Sequence, residues 1–431
     1  MSLPDTAATE APVRAPAAER PRRGRPPKRG QRLALLLDRA AELFNLRGIS
    51  ATSVADLADT LQISRASLYY YVEDREDLVF QCYMRACELT AQDLATAAEA
   101  PSGLERTLAF VRIALAPERP TVAVLSEIDV LNGERARFVK HADEANVERL
   151  MSFITAGAAD GSMRGCDAEV IAQAIIGMLA WAQLLPQWSS GGHMEALRTR
   201  TSQAVTSLLT TGIATERGPR FECRVDVEQL QRTLVNAFDR RESFSIKIDQ
   251  VLAAASRQFN RNGIEATSID AIAGALGVSK GVLYHYVADK SDLVARCYER
   301  AFDFYDQFME VCSREGRNGL ERALINAHLN IQAHVTSLSP LMPQPGFGAG
   351  PDARRMALLE RGRRENRAAA DLLREGAADG SVVACDAAMV AHMTAGAFGW
   401  IPKWLKPDNG RSAFEIADEI CTAIRNGLQA S

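Results

Sequence analysis

SRASLYYYVEDR, residues 64–75, and SKGVLYHYVADK, residues 279–290, are two versions of one phrase. Around them, residues 44–79 and 259–294 align at an offset of 215 with 18 of 36 positions identical, so the chain carries one motif twice. Ser53 and Ser268 stand where a side-chain oxygen can accept from the free amides of a helix's first turn. Val54, Leu57, Ala58 and Leu61, and likewise Ile269, Ile272, Ala273 and Leu276, follow at i, i+3, i+4 and i+7. That spacing predicts a short helix with one buried stripe. Gln62-Ile63 and Gly277-Val278 make the turn, Gly277 being free to go left-handed. Ser64 or Ser279 then caps a second helix. Leu68 and Val72, like Leu283 and Val287, point back into the domain, which leaves Arg65, Ser67, Tyr69 and Tyr70 outward. Two helices, a tight turn and an exposed basic, aromatic second helix describe a helix-turn-helix DNA reader.

The residues of that second helix also carry a resemblance. Residues 279–290 are nearly verbatim the signature of the TetR family of bacterial transcriptional regulators, which reads roughly S-K-G-T-L-Y-H-Y-F before a Ser-Lys or Asp-Lys pair. Residues 64–75 match it more loosely, in every structural position, and the resemblance extends over both repeats. It implies an all-α fold of two TetR-like repeats, each a helix-turn-helix domain followed by a helical ligand-binding and dimerisation domain, paired as an intramolecular pseudo-dimer. The implied function is sequence-specific transcriptional regulation, with a ligand-responsive repressor as the leading form and double-stranded DNA as the partner.

Side-chain chemistry distributes the roles. Arg65 and Lys280, in the first turn of the probing helix, suit guanine edges or nearby phosphates. Ser67 offers a hydroxyl to base or phosphate, whereas Val282 offers only apolar contact, for instance to a thymine methyl. By resemblance, Tyr69, Tyr70, Tyr284 and His285 grip phosphate, as do Arg75 and Lys290 at the start of the next helix. Thr52, Ser53, Thr267 and Ser268, opening the supporting helices, complete the expected DNA-binding set. Because the two readers differ at these positions, they are expected to take an imperfect palindrome with half-sites about 34–36 Å apart.

Further repeats fill the rest of the chain. Residues 158–162 recur at 377–381, Cys166-Asp167-Ala168 as Cys385-Asp386-Ala387, and Trp181 as Trp400, now at an offset of 219. The Pro- and Gly-rich stretch 339–351 is the expected home of the four extra residues. At 431 residues the chain accommodates two such units. The expected division is a disordered basic arm at 1–31, a reader at 32–84, a helical domain at 85–212, a partly helical linker at 213–244, a second reader at 245–299 and a second helical domain at 300–431. The net charge is only −4, yet seven Arg and Lys residues crowd 20–32. Within that arm Arg23-Gly24-Arg25-Pro26 looks like an AT-hook core, and Arg25 is expected in an A·T minor groove.

Composition also excludes. The eight cysteines show no metal or disulfide spacing, and Cys82, Cys297, Cys166 and Cys385 are expected on apolar helix faces. The six histidines form no cluster, so no metal site, cofactor or catalytic residue is expected. The longest apolar stretch, 170–185, is shorter than the roughly 20 residues of a membrane span. With no signal peptide legible at 1–37, the expected location is the cytoplasm, on the nucleoid. The family's middle helices enclose an effector pocket. Phe138, His141, Phe153 and Trp181 in repeat one, and His334, Met342, Met356 and Trp400 in repeat two, are its expected linings. The Gly177-Met178, Trp181, Trp188 pattern resembles members that answer to acyl-CoA or sterol-catabolic thioesters, so a small apolar or acyl-CoA-like effector is implied. Two alternatives stay open: an architectural DNA-binder without effector control, and a ligand-binding helical protein with degenerate readers.

Overall fold

The structure, a computed structural model, describes residues 29–49, 52–187, 194–230, 240–345, 347, 353–406 and 410–430. Arg25 and the rest of the AT-hook-like segment lie outside the described residues, as does Trp188. Repeat one contains α1 (Arg29–Arg47), α2 (Val54–Thr60), α3 (Arg65–Tyr69), α4 (Arg75–Ala97), α5 (Gly103–Ala114), α6 (Gly133–Ala159), α7 (Ala168–Leu184) and α8 (Met194–Thr211). After a short α9 (Val227–Leu230), repeat two runs α10 (Arg240–Asn262), α11 (Ile269–Leu276), α12 (Lys280–Tyr284), α13 (Lys290–Glu315), α14 (Gly319–Val335), α15 (Ala353–Asp379), α16 (Ala387–Gly399), α17 (Ile401–Trp404) and α18 (Ala413–Asn426). The fold is all-α, with no β-strand beyond two isolated bridges among the described residues.

Local chemistry sets the helix starts. Ser53 accepts from the Asp56 amide while Asp56 reaches back to the Ser53 N–H, a reciprocal capping box, and Ser268 accepts from the Ala271 amide. Asp74 and Asp289 cap α4 and α13, and Asp167 and Asp386 cap α7 and α16. Each reader closes on its own core. Leu57, Leu68 and Val72 are buried in the first with Leu78, and Ile272, Leu283 and Val287 in the second with Leu293. At about 1.5–3 kcal/mol per buried aliphatic side chain, these stripes hold the short helices that could not stand alone.

The C-terminal helices of the two repeats share one core, which contains Ile171, Ile175 and Met178 of α7 together with Val390, Met393 and Ala397 of α16. At its centre α7 packs on α16, flanked by α8 and α18. Past α8 and α18 the chain crosses over reciprocally. Ile213 N–H donates to Ile424 O at 2.9 Å, and its counterpart Leu428 N–H donates to Leu209 O at 2.7 Å. Ala214 N–H reaches Arg425 O as Gln429 N–H reaches Thr210 O. The bridges Ala214 to Val382 and Met163 to Gln429 repeat the exchange on the outer side. Every such contact has its mate with the repeats interchanged, which is the signature of a two-fold interface. Cross-repeat ion pairs reinforce it: Arg411 holds Asp167 at 2.9 Å and Arg200 holds Asp386 at 2.7 Å.

Equivalent hydrogen bonds also locate the extra residues of repeat two. Asn45 Nδ2 donates to Val122 O, while Asn260 Nδ2 donates to Pro340 O, an offset already grown to 218. Glu127 N–H donates to Tyr83 Oη and Gln344 N–H to Tyr298 Oη, an offset of 217, which reaches 219 at Asp160 and Asp379. The insertion is therefore divided between positions before and after Gln344 rather than confined to 339–351. Helix α14 is also longer than α5, 17 residues against 12, and starts at an offset of 216, so it accounts for only part of the difference. The linker docks on repeat two: Gln332 donates to Val225 O and accepts from Val227 N–H, and Val227 is buried beside Phe308 and Leu329. Cys82 and Cys297 are buried thiols on Leu37 O and Leu252 O, but Cys166 and Cys385 precede α7 and α16 rather than lying on a helix face.

Candidate functional site

The probing helices α3 and α12 are five residues each, and both present the same face. Arg65 and Ser67 are exposed on α3, with Tyr69 and Tyr70 at 53% and 63% exposure. On α12 the exposed set is Lys280, Val282, Tyr284 and the adjoining His285. Several of these side chains are poised by neighbours. Lys280 pairs with Asp270 at 2.9 Å, Ser67 Oγ lies 2.8 Å from Ser64 Oγ, and His285 packs edge-on to Tyr286. Arg75 donates to Ile49 O, and Lys290 donates to Glu265 O at 3.3 Å. Tyr71 and Tyr286 are half-buried.

Thr52 and Thr267 do not share this surface. Both are buried, and their hydroxyls donate to Gly48 O at 2.9 Å and Gly263 O at 2.7 Å. They lock the end of the preceding helix to the start of the next, so their expected phosphate contact is corrected to a structural tie. Ser53 and Ser268 are exposed, with their oxygens engaged as caps.

Each reader leans on the opposite repeat. Gly48 lies against Pro345, and its counterpart Gly263 against Glu127. Lys403 of α17 bridges this junction, its Nζ donating to Ser126 O and to Arg261 O. Burial pulls the Lys403 ammonium down to about 8, opposed by Glu127. Burial likewise pushes the Glu127 carboxyl up to about 7, opposed by Lys403.

Behind the readers lie two cavities at equivalent places. The repeat-two cavity, about 1040 Å³ with its open mouth, is lined by Tyr305, Asn326, Asn330, Met342, Glu365 and Phe398 among others. The repeat-one cavity, about 720 Å³, has Thr90, Phe110, Ala114, Val124, Asn146 and Leu179 at the corresponding positions. Phe110 fills what Asn326 leaves open. Trp181 lines the repeat-two cavity and Trp400 the repeat-one cavity, so each pocket borrows a wall from the other repeat. The within-repeat assignment of both tryptophans is thereby corrected, because α7 and α16 pack face to face and each projects its indole across the seam.

Of the other expected linings, Met342 lines the repeat-two cavity. Phe138 and Met356 are 56% and 49% exposed and His141 is also on the surface, since α6 and α15 turn those positions to solvent. Phe153 is plain core beneath Arg149. His334 is fully enclosed behind Phe398, stacked at 6.2 Å, and burial pulls its imidazole down to about 3. Sequence reading missed Asn326, Asn330 and Glu365, because isolated polar residues on amphipathic helices look like solvated faces. It also missed the crossover, although Gly177 and Gly396 share the offset of the two tryptophans.

The model for bacterial regulatory proteins of the tetR family matches residues 36–82 and again 251–297. That for the tetracyclin repressor-like C-terminal domain matches 105–196 and 322–428, and the four segments together exceed half the chain. The chain belongs to the TetR family of bacterial regulatory proteins. As a TetR protein it is a DNA-binding regulator rather than an enzyme, and it carries the family's two domains in tandem. The HTH-type transcriptional repressor KstR2 of Mycolicibacterium smegmatis is 24% identical over 194 residues, 42% of this chain and 91% of that protein. KstR2 of Rhodococcus jostii is 26% identical over 197 residues, 43% of this chain and 93% of the relative. Among solved structures, the ketosteroid transcriptional regulator KstR2 of Mycobacterium tuberculosis is similar with a TM-score of 0.35 and 21% identity, over 41% of this chain and 92% of the other. AibR in complex with isovaleryl coenzyme A and operator DNA gives 0.34 and 21%, over 41% and 97%. One relative's length thus corresponds to about half of this tandem TetR chain. No helix among the described residues is long and apolar enough to cross a membrane.

Proposed function

We propose that the chain is a ligand-responsive repressor acting in the cytoplasm as a ready-made pseudo-dimer, its two unlike readers taking the halves of an imperfect palindrome. The observation that carries this reading is the outward face of α3 and α12: the same positions are exposed in both, yet Arg65, Ser67 and Tyr70 of one stand where the other has Lys280, Val282 and His285. Arg65 and Lys280 read base edges or adjacent phosphate, with Ser67 and Val282 beside them. Tyr69, Tyr70, Tyr284, His285, Arg75 and Lys290 hold the backbone in register. The arm around Arg25 adds minor-groove contact on A·T-rich flanks.

The effector is a small molecule held in the repeat-two cavity. Trp181 supports the coupling, since a ligand touching it touches the α7/α16 seam on which both repeats rest. A ligand releases DNA only by binding the released arrangement more tightly than the bound one. Operator selection from genomic fragments, followed by footprinting, tests the reading. The expected product is one duplex site with two unequal halves about one helical turn apart. A symmetric operator whose halves are damaged equally by Arg65→Ala overturns it.

A further inference from the structure

The two cavities are equivalent in place and unlike in charge. Among the described residues lining the repeat-two cavity, Glu365 alone carries a formal carboxylate and none carries a fixed positive charge. His392, the other titratable side chain facing inward besides Tyr305, is pulled down to about 4 by burial and stays neutral. The walls are aromatic: Trp181, Tyr305 and Phe398 line the same space. An aromatic enclosure with one buried carboxylate attracts a cation from two sides, by the ring quadrupoles and by direct ion pairing. It repels an anion, because nothing in the lining would compensate a second negative charge taken out of water. In repeat one Asn146 replaces Glu365 and Thr90 replaces Tyr305. The carboxylate in that lining is Asp143, at the position of Gly362, and the guanidinium of Arg119 shares the cavity with it, so a cation there meets a fixed positive charge that repeat two lacks.

We propose that the repeat-two cavity receives an apolar ligand bearing an ammonium group, seated against Glu365 and among Trp181, Tyr305 and Phe398. This rests on the reading of that cavity as the effector site, and it replaces the acyl-thioester class with an amine. Asn326 and Asn330 of α14 also line the cavity; with Asn330 Nδ2 donating to Asn326 O at 2.8 Å, Asn326 Nδ2 and Asn330 Oδ1 are the amide atoms offered to a carbonyl or hydroxyl elsewhere on the ligand. Glu365 lies beside Asp306 of α13 and is paired on one oxygen with Arg364 of α15 at 3.3 Å, while Tyr305 of α13, His392 of α16 and the two asparagines of α14 share its cavity. Burial and then Asp306 push its carboxyl up to about 7. A bound amine therefore gains its partner as pH rises through that value.

The test uses the full chain and three probes of one shape: 1-adamantylamine, 1-adamantanol and 1-adamantanecarboxylate. Calorimetric titration at pH 6 and pH 8 is run beside operator-release assays with the same probes and with a medium-chain acyl-CoA. The expected order at pH 8 is amine above alcohol above carboxylate, with amine binding at least tenfold tighter than carboxylate. Amine affinity should rise from pH 6 to pH 8 while the alcohol's does not. Glu365→Gln should bring the amine to the alcohol's level, and Glu365→Asp should keep the preference, which separates lost charge from lost fold. Carboxylate or acyl-CoA binding as tightly as the amine overturns the inference while leaving the effector site standing. Absence of binding by every probe, with the operator held throughout, overturns both.

Discussion

Gly177 of α7 and Gly396 of α16 meet backbone to backbone: a Cβ on the first would lie 2.5 Å from the Gly396 carbonyl oxygen, and one on the second 2.7 Å from that of Gly177. Each also abuts the other repeat's tryptophan, Trp400 for Gly177 and Trp181 for Gly396. The seam between repeats and the walls of both cavities are therefore set by one pair of missing side chains. Gly177→Ala or Gly396→Ala must spread the helices, because backbone cannot step aside as a flexible side chain could. Each should cost about 1–3 kcal/mol. The double variant should cost less than the sum, since one separation relieves both clashes. Thermal and denaturant unfolding of all three measure this, and a single variant indistinguishable from wild type contradicts the packing.

Gln62 and Gly277 hold the same place in the two reader turns, with φ of 53° and 68°. A left-handed residue with a Cβ carries a strain of about 1–2 kcal/mol that glycine avoids, partly offset by glycine's greater freedom when unfolded. Gln62→Gly should stabilise the first reader by up to about 1 kcal/mol, and Gly277→Ala should destabilise the second by a similar amount. Hydrogen exchange of α2 and α11 amides reads each reader separately. Slower exchange in Gly277→Ala would refute the assignment.

These turns were legible because the determinants are local: cap, stripe and turn residue lie within ten positions, and Gly277 takes the left-handed conformation its composition suggests. The duplication made the all-α tandem fold legible as well. The cavities were not, because lining depends on which helix of the other repeat comes to rest opposite. Nothing local to Trp181 says that it faces Tyr305 rather than Phe153. Phe138 and Met356 misled for the opposite reason, since large apolar side chains on long helices suggest a core even where the helix edge is open to water.

His334 sits wholly enclosed, with neither ring nitrogen bonded among the described residues and its imidazole pulled down by burial to about 3. The unfolded chain takes up a proton near 6.5 and the folded one does not until far lower, so the unfolded state binds more protons in between. Stability from this group is therefore full above about 6.5 and is lost as pH falls toward 3, by about 1.4 kcal/mol per pH unit. Glu127 works the other way between about 4.5 and 7, being protonated when folded and ionised when unfolded. The total profile mixes both, so the comparison to make is wild type against His334→Leu. Their stability difference should shift in favour of the variant as pH falls from 7 to 4. A difference independent of pH would show that the histidine is not buried neutral.

Lys290 and Lys280 separate phosphate grip from base reading. Lys290→Ala should weaken operator and random duplex alike and flatten the dependence of log affinity on log salt by about 0.9, one released counterion. Lys280→Ala should cost about 1–3 kcal/mol at one base position of one half-site and leave the half-site under Arg65 unchanged. Binding measured across a salt series on single-substituted operators distinguishes them. Equal damage to both halves by Lys280→Ala would mean that the two readers do not divide the site.

Repeat one expressed by itself, ending after residue 215, is the sharpest probe of the tandem arrangement. It would expose the α7 face that carries Ile175, Met178 and Trp181, and leave the amides of Ile213 and Ala214 without the Ile424 and Arg425 carbonyls. Gly177 leaves room for a second α7 in the place of α16, because the existing interface is already built from equivalent positions. The isolated repeat should therefore form a homodimer at micromolar concentration and unfold on dilution, whereas the full chain keeps its stability at any concentration because its partner is tethered. Light scattering coupled to size exclusion, followed by unfolding at several protein concentrations, gives the answer. A lone repeat that stays monomeric, folded and independent of concentration would mean that the α7/α16 seam contributes little, and the tether would then be the main thing joining the two readers.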